Sequence, residues 1–154
     1  IMNKLLFIFL LFYFYVASVY SDIIKPNTKI EPYNVVEIQL ISLKNNDKPD
    51  KDFGIEQTWE FAHPENKINT GPLNNFKKML KNEIYSILLN HKDHKIEEIY
   101  NNKKIAIYDV IILGSDNFYY EFKWQVERYN GKGSLNNCWL TTAVSNPVSL
   151  GASI

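Results

Sequence analysis

Apolar residues recur along this chain at two periods, helical in the first half and alternating in the second. After Pro32, Val36, Leu40 and Leu43 fall on one stripe, widened by Val35 and Ile41. That spacing predicts an amphipathic helix, and proline suits its first turn because its missing N–H would be unpaired there anyway. Residues 44–53 form a polar break containing Pro49. Gly54 then opens a second, shorter helix with Ile55, Trp59 and Ala62 at helical spacing. His63-Pro64 is expected to end it, since the residue before proline avoids the α region. Gly71-Pro72 starts a third helix, with Leu73, Phe76 and Leu80 on one face.

The period then changes to two. Phe118, Tyr120, Phe122, Trp124 and Val126 alternate with Tyr119, Glu121, Lys123, Gln125 and Glu127, which predicts a half-buried strand. Gly114-Ser115-Asp116-Asn117 separates it from an earlier strand near 104–113. Asn130-Gly131-Lys132-Gly133 separates it from a later one near 137–145. Both connections carry residues that tolerate positive φ, as hairpin turns require. A further extended segment is expected near 96–100. Three helices followed by an antiparallel meander make an α+β protein, with the helices covering one face of a curved sheet.

Residues 1–21 carry a different pattern. Met2-Asn3-Lys4 is a short basic start, residues 5–16 are an unbroken apolar run, and Ala17-Ser18-Val19-Tyr20-Ser21 supplies small residues before Asp22. This is the layout of a secretory signal peptide cleaved after Ser21, so a secreted or periplasmic location is expected. Membrane contact is expected only through this segment if it stays uncleaved, because its apolar core is short for a span. An extended lead-in over 22–31, a domain over 32–145 and a C-terminal tail over 146–154 complete the expected organisation.

Charge narrows the function. The chain has 17 basic and 17 acidic side chains, and residues 1–21 contain only Lys4 among them, leaving about −1 beyond the signal. Such a balance gives no electrostatic reason to bind nucleic acid. Cys138 is the single cysteine, so no intrachain disulfide forms, and it reads as a small buried hydrophobe on a strand. There is no G-x-S-x-G, P-loop, G-x-G-x-x-G or H-E-x-x-H pattern. His91-Lys92-Asp93-His94 could offer two imidazoles to a metal with His63 as third ligand, but its lysines favour a solvated loop, so no metal is expected. Asp47, Asp50 and Asp52 lack the Gly and Glu of a calcium loop. Asn46-Asp47 reads instead as a cap or turn after the first helix.

A set of positions has a family pattern. Ile38-Gln39-Leu40, Asn46-Asp47, Gly54-Ile55, Phe61-Ala62-His63-Pro64-Glu65-Asn66, Thr70-Gly71-Pro72-Leu73, Phe76, Met79, Tyr85 and Cys138-Trp139 with Thr141 resemble the family known as domain of unknown function 4864. That family is similar in fold to the nuclear transport factor 2-like superfamily. The resemblance spans about 32–145 and implies a cone, in which three helices wrap a strongly bent sheet and close over a pocket. It implies no activity, because the superfamily hosts isomerases, dehydratases, ligand binders and adaptors, and fold does not choose among them. His63 stands where the resemblance would put a small residue such as Ser.

Three readings follow. The first is a non-catalytic ligand-binding or accessory module, with Trp59, Phe61, Tyr85, Phe122, Trp124 and Trp139 either lining an apolar pocket for a small molecule or filling the core. The second is a small isomerase- or dehydratase-type enzyme needing no cofactor. Asp109, set among apolar neighbours, would be its base, as aspartate is in ketosteroid isomerase-like members, with Tyr108 or His63 as partner. The bland alternative puts Asp109 on the outer face or pairs it with a lysine across the hairpin. The third is an adaptor, dimerising or binding a partner protein through Ile105, Ile107 and Ile111 on the outer sheet face.

Overall fold

A computed structural model describes residues 22–152. The expected signal segment therefore lies outside the described residues. The chain is α+β. The described residues form four α-helices, α1 (Pro32–Lys44), α2 (Phe53–Glu60), α3 (Pro64–Thr70) and α4 (Leu73–Leu80), followed by a 3-10 turn over Ser86–Leu88. Five strands follow: β1 (Asp93–Asn101), β2 (Ile105–Leu113), β3 (Phe118–Arg128), β4 (Trp139–Val144) and β5 (Val148–Ala152). All pair antiparallel in one sheet, in the order β1-β2-β3-β4, with β5 also on β3.

β3 is the spine. β4 pairs with Trp124–Arg128, while β5 pairs with Phe118–Glu121, so the two share one edge of the same strand. Bulges fall between Glu98 and Tyr100, between Tyr119 and Tyr120, and between Gln125 and Val126. Each inserted residue bends its strand and tightens the local twist.

Two expectations are corrected. Pro64 does not merely end a helix; it begins α3, with His63 as the cap whose Nδ1 accepts the Glu65 N–H at 3.2 Å. The described residues therefore hold four helices rather than three, because a proline that blocks one helix is equally suited to open the next. The expected C-terminal tail over 146–154 is also not a plain tail where it is described, since β5 adds residues 148–152 to the sheet. Pro147 stands before β5, where a missing donor does no harm.

The core lies between α1 and the inner sheet face. Val35, Val36, Leu40 and Leu43 of α1 meet Ala106, Tyr108, Val110 and Ile112 of β2 and Phe122, Trp124 and Val126 of β3. Ile41 points away and is half exposed. The lead-in is tied to α2 by two bonds, Ile24 N–H to Gln57 Oε1 at 2.7 Å and Gln57 Nε2 to the Ile24 carbonyl at 2.9 Å.

The α1–α2 connection holds a tight backbone crossing. The buried Asn46 accepts the Ile55 N–H on its side-chain oxygen at 3.1 Å, and its main-chain carbonyl accepts the Gly54 N–H at 2.9 Å. Asn46 Nδ2 donates to Asp47 Oδ1, which also accepts the Asp52 N–H, both at 3.0 Å. The Asp52 N–H first, and then the Asn90 amide, which donates to Asp47 Oδ2 at 3.1 Å, hold the Asp47 carboxyl below the usual carboxylate range. A Cβ on Gly54 would overlap the Ser42 carbonyl and lie 2.8 Å from the Asn46 Cα. Gly54→Ala is therefore expected to destabilise the domain by about 2–3 kcal/mol, the cost of forcing atoms into a filled space. A reversible urea melt showing a loss under about 0.5 kcal/mol would contradict that crossing.

Candidate functional site

The helices close over the β3–β4 part of the sheet and leave a cavity of about 270 Å³. α1 supplies Gln39 and Leu43, α2 Thr58 and Trp59, α3 Asn66, and α4 Phe76, Met79 and Leu80. Trp124 of β3 and residues 141–144 of β4 form the opposite wall, with Tyr85 and Leu88 between. No Asp, Glu, Lys, Arg or His lines it.

A polar cluster sits on the wall shared by α1 and β4. Gln39 Oε1 accepts the Thr141 hydroxyl at 2.6 Å and the Trp124 indole N–H at 3.1 Å. Gln39 Nε2 donates to the Thr58 carbonyl at 3.1 Å, and the Thr58 hydroxyl donates to the Gly54 carbonyl at 2.8 Å. All four side chains, Gln39, Thr58, Trp124 and Thr141, are buried. Each has a partner within the protein, so the cluster costs little to bury and fixes the rotamers around it.

Two groups are less committed. Asn66 Nδ2 donates to the Thr141 and Thr142 carbonyls at 3.1 and 2.8 Å, which leaves its amide oxygen free among the described residues. The Tyr85 hydroxyl reaches the Val144 carbonyl and Asn146 Oδ1 only at 3.4 Å each, so both bonds are weak. Trp59 packs on Phe76 with ring centroids 4.9 Å apart, and the Lys67 ammonium lies 5.4 Å from the Trp59 ring. Burial lowers the Lys67 pKa, partly opposed by Glu60.

The aromatic candidates divide in two. Trp59, Tyr85 and Trp124 line the cavity. Phe61 and Phe122 are wholly buried and do not line it, so they are core. Trp139 is core too; the Arg128 guanidinium lies 5.3 Å from its ring centre, and its Nε1 is buried without a partner among the described residues. Cys138 is buried, and its thiol pKa is raised by that burial.

Asp109 is not in the cavity. β2 buries Ala106, Tyr108, Val110 and Ile112 and turns the residues between them to the outer face. Asp109 pairs there with Lys123 across the β2–β3 ladder at 2.7 Å. Tyr108 and Asp109 are adjacent on one strand and so face opposite ways. Tyr108 points inward, edge-on to Tyr33 at 6.2 Å, and its hydroxyl is 3.4 Å from Glu98. Burial, and then Glu98, push its pKa well above the ordinary tyrosine value. His63 lines a separate cleft with Tyr129.

The His91–His94 segment is a second correction. His91 is buried rather than in a solvated loop: its Nδ1 bonds the Leu88 carbonyl at 2.8 Å and its Nε2 meets His94 Nδ1 at 2.7 Å. A neutral His91 with its proton on Nδ1 donates to Leu88 and accepts from His94, which satisfies both contacts at once. No group of three or more His, Cys, Asp and Glu among the described residues is placed to hold a metal ion.

Sequence reasoning missed Gln39, Thr58 and Asn66 as site residues. Gln39 offered a signal, as the one polar position within the apolar stripe Val35, Val36, Leu40 and Leu43. Comparison of the chain with family models, with curated proteins and with solved structures finds no match in any of the three. No helix among the described residues is long and apolar enough to cross a membrane.

Proposed function

We propose that this domain binds a small, neutral, largely apolar molecule in the cavity between its helices and β4, and carries out no chemistry on it. The observation that carries the reading is the lining: apolar and aromatic side chains with uncharged polar groups, and no ionisable group except the Tyr85 hydroxyl. A charged ligand would lose its hydration there without a countercharge. A neutral one gains from apolar contact and from the Asn66 oxygen and Tyr85 hydroxyl.

Size limits the ligand. A cavity of about 150 Å³ holds benzene, so one of about 270 Å³ holds roughly ten or eleven heavy atoms. The position of the cavity, under helices and against a bulged sheet, supports reading the fold as a nuclear transport factor 2-like cone with its pocket at this place. The same proposal places the protein outside the cytoplasm, on the pattern of residues 1–21.

Mass spectrometry of the purified protein under native conditions is expected to show a neutral small molecule that leaves on unfolding. Ala62 lines the cavity, and Ala62→Leu would occupy part of that space. It should lower uptake at least about tenfold, or about 1.4 kcal/mol, while the melting temperature holds or rises. Uptake unchanged in Ala62→Leu would place the ligand elsewhere.

A further inference from the structure

The second large concavity lies at the other end of β4, and its chemistry is opposite. It measures about 530 Å³ and is lined by His63 and Glu65, the β1–β2 turn at Lys103 and Lys104, and the β3–β4 loop around Arg128 and Tyr129. We propose that this cleft binds a phosphate or sulfate group carried by a small polar molecule.

The first argument is pairing. Lys25, Lys44, Lys77, Lys81, Lys95 and Lys123 each have a carboxylate partner. Lys103, Lys104 and Arg128 have none among the described residues; other lysines, Lys78 and Lys92 among them, also lack one, but these three unpaired cations line one cleft. Against them stand Glu65 and Glu127, and Glu127 Oε1 already accepts Gln125 Nε2 at 2.8 Å. A tetrahedral oxyanion would supply the missing charge.

The second is preorganisation. Arg128 is the only arginine in a chain with 17 basic side chains. Its guanidinium lies 5.3 Å from the Trp139 ring centre, a cation–π contact, and its N–H groups have no side-chain hydrogen bond among the described residues. The Arg128 N–H donates to the Lys104 carbonyl at 2.8 Å, which sets the two cations side by side. His63 Nδ1 accepts from the Glu65 N–H, so a neutral imidazole must carry its proton on Nε2 as a donor. The Tyr129 ring meets His63 edge-on at 5.4 Å, and the Tyr129 hydroxyl has no partner among the described residues. Planar forked donors, ammonium groups and neutral N–H and O–H donors are what phosphate and sulfate recognition uses.

A single arginine gives a single Arg Nε–H signal in a ¹⁵N spectrum of the full chain. Inorganic phosphate and inorganic sulfate should each move that signal along a saturable curve. Sodium chloride at matched ionic strength should move it little and without saturation. Whichever anion binds more tightly names the ester to look for. Arg128→Lys, read on the His63 ring signals, should weaken binding at least about tenfold, because an ammonium cannot make the forked contact. Lys78→Ala, an exposed cation on α4, should leave it unchanged. A linear response matching chloride, or equal affinity in Arg128→Lys, would overturn the proposal.

Discussion

Replacing Trp124 by alanine is expected to cost about 3–5 kcal/mol, the usual price for a buried large aromatic. Trp124 is only 1 % exposed at the middle of β3. Its ring joins the sheet to α1, and its indole N–H reaches Gln39 Oε1 at 3.1 Å and Thr141 Oγ1 at 3.3 Å. Alanine would leave a void continuous with the cavity and remove one donor from the buried amide. Trp124→Phe keeps most of the ring and loses only the donor, so it should cost about 1–2 kcal/mol. Denaturant melts of both variants separate packing from hydrogen bonding. A loss below about 1 kcal/mol for alanine would mean that β3 presents its other face to the helices.

Acid should loosen the same domain through His91. Burial lowers its pKa from 6.5 to about 4, with His94 and Lys44 acting in the same direction and the Leu88 bond and Asp93 opposing. A histidine whose folded pKa lies below its unfolded value stays neutral when folded, while the unfolded chain takes up a proton. Its contribution is therefore whole above about pH 6.5 and is lost as pH falls towards 4, and by pH 5 the loss is about 2 kcal/mol. The shift of His94 is downward too, led by burial, and adds in the same window. Asp47, Asp52, Asp93 and Asp116 are lowered from 3.8 and act only at lower pH. Urea melts at pH 7.5, 6 and 5 should trace the fall. His91→Gln should be less stable at pH 7.5 and flatter between 6.5 and 5. A wild-type curve flat over that range would contradict a buried neutral His91.

These features differ in how far the sequence revealed them. The alternation from Phe118 to Val126 located β3 because only one of its faces is apolar. β2 is apolar on both faces, with Ile105, Ile107 and Ile111 outside and Ala106, Val110 and Ile112 inside. Its pattern alone could not say which way Asp109 points. The register with β3 decides it, by setting Asp109 opposite Lys123 on the outer face. α3 was hidden because Pro64 reads equally as an end and a beginning. β5 was overlooked although Val148, Leu150 and Ala152 alternate with Ser149 and Gly151, because the strand is only five residues long and follows Pro147. His91 was misjudged because its neighbours Lys92 and Asp93 are exposed and polar, while its own burial depends on the Leu88 carbonyl and on His94. The cavity depends on side chains from all four helices and two strands meeting in space, which no local pattern encodes. Trp59, Tyr85 and Trp124 could be named in advance as aromatic. That they line the cavity while Phe61, Phe122 and Trp139 do not follows from packing alone.

The chain's three tryptophans offer the most direct test of ligand binding. Trp59 and Trp124 line the cavity, whereas Trp139 lies in the core outside it. Each gives one indole N–H signal in a ¹⁵N spectrum. Titration with free indole, a neutral aromatic inside the size limit of roughly ten heavy atoms, is expected to move the Trp59 and Trp124 signals along one saturable curve and leave Trp139 in place. No movement, or equal movement of all three, would contradict a binding cavity at this position.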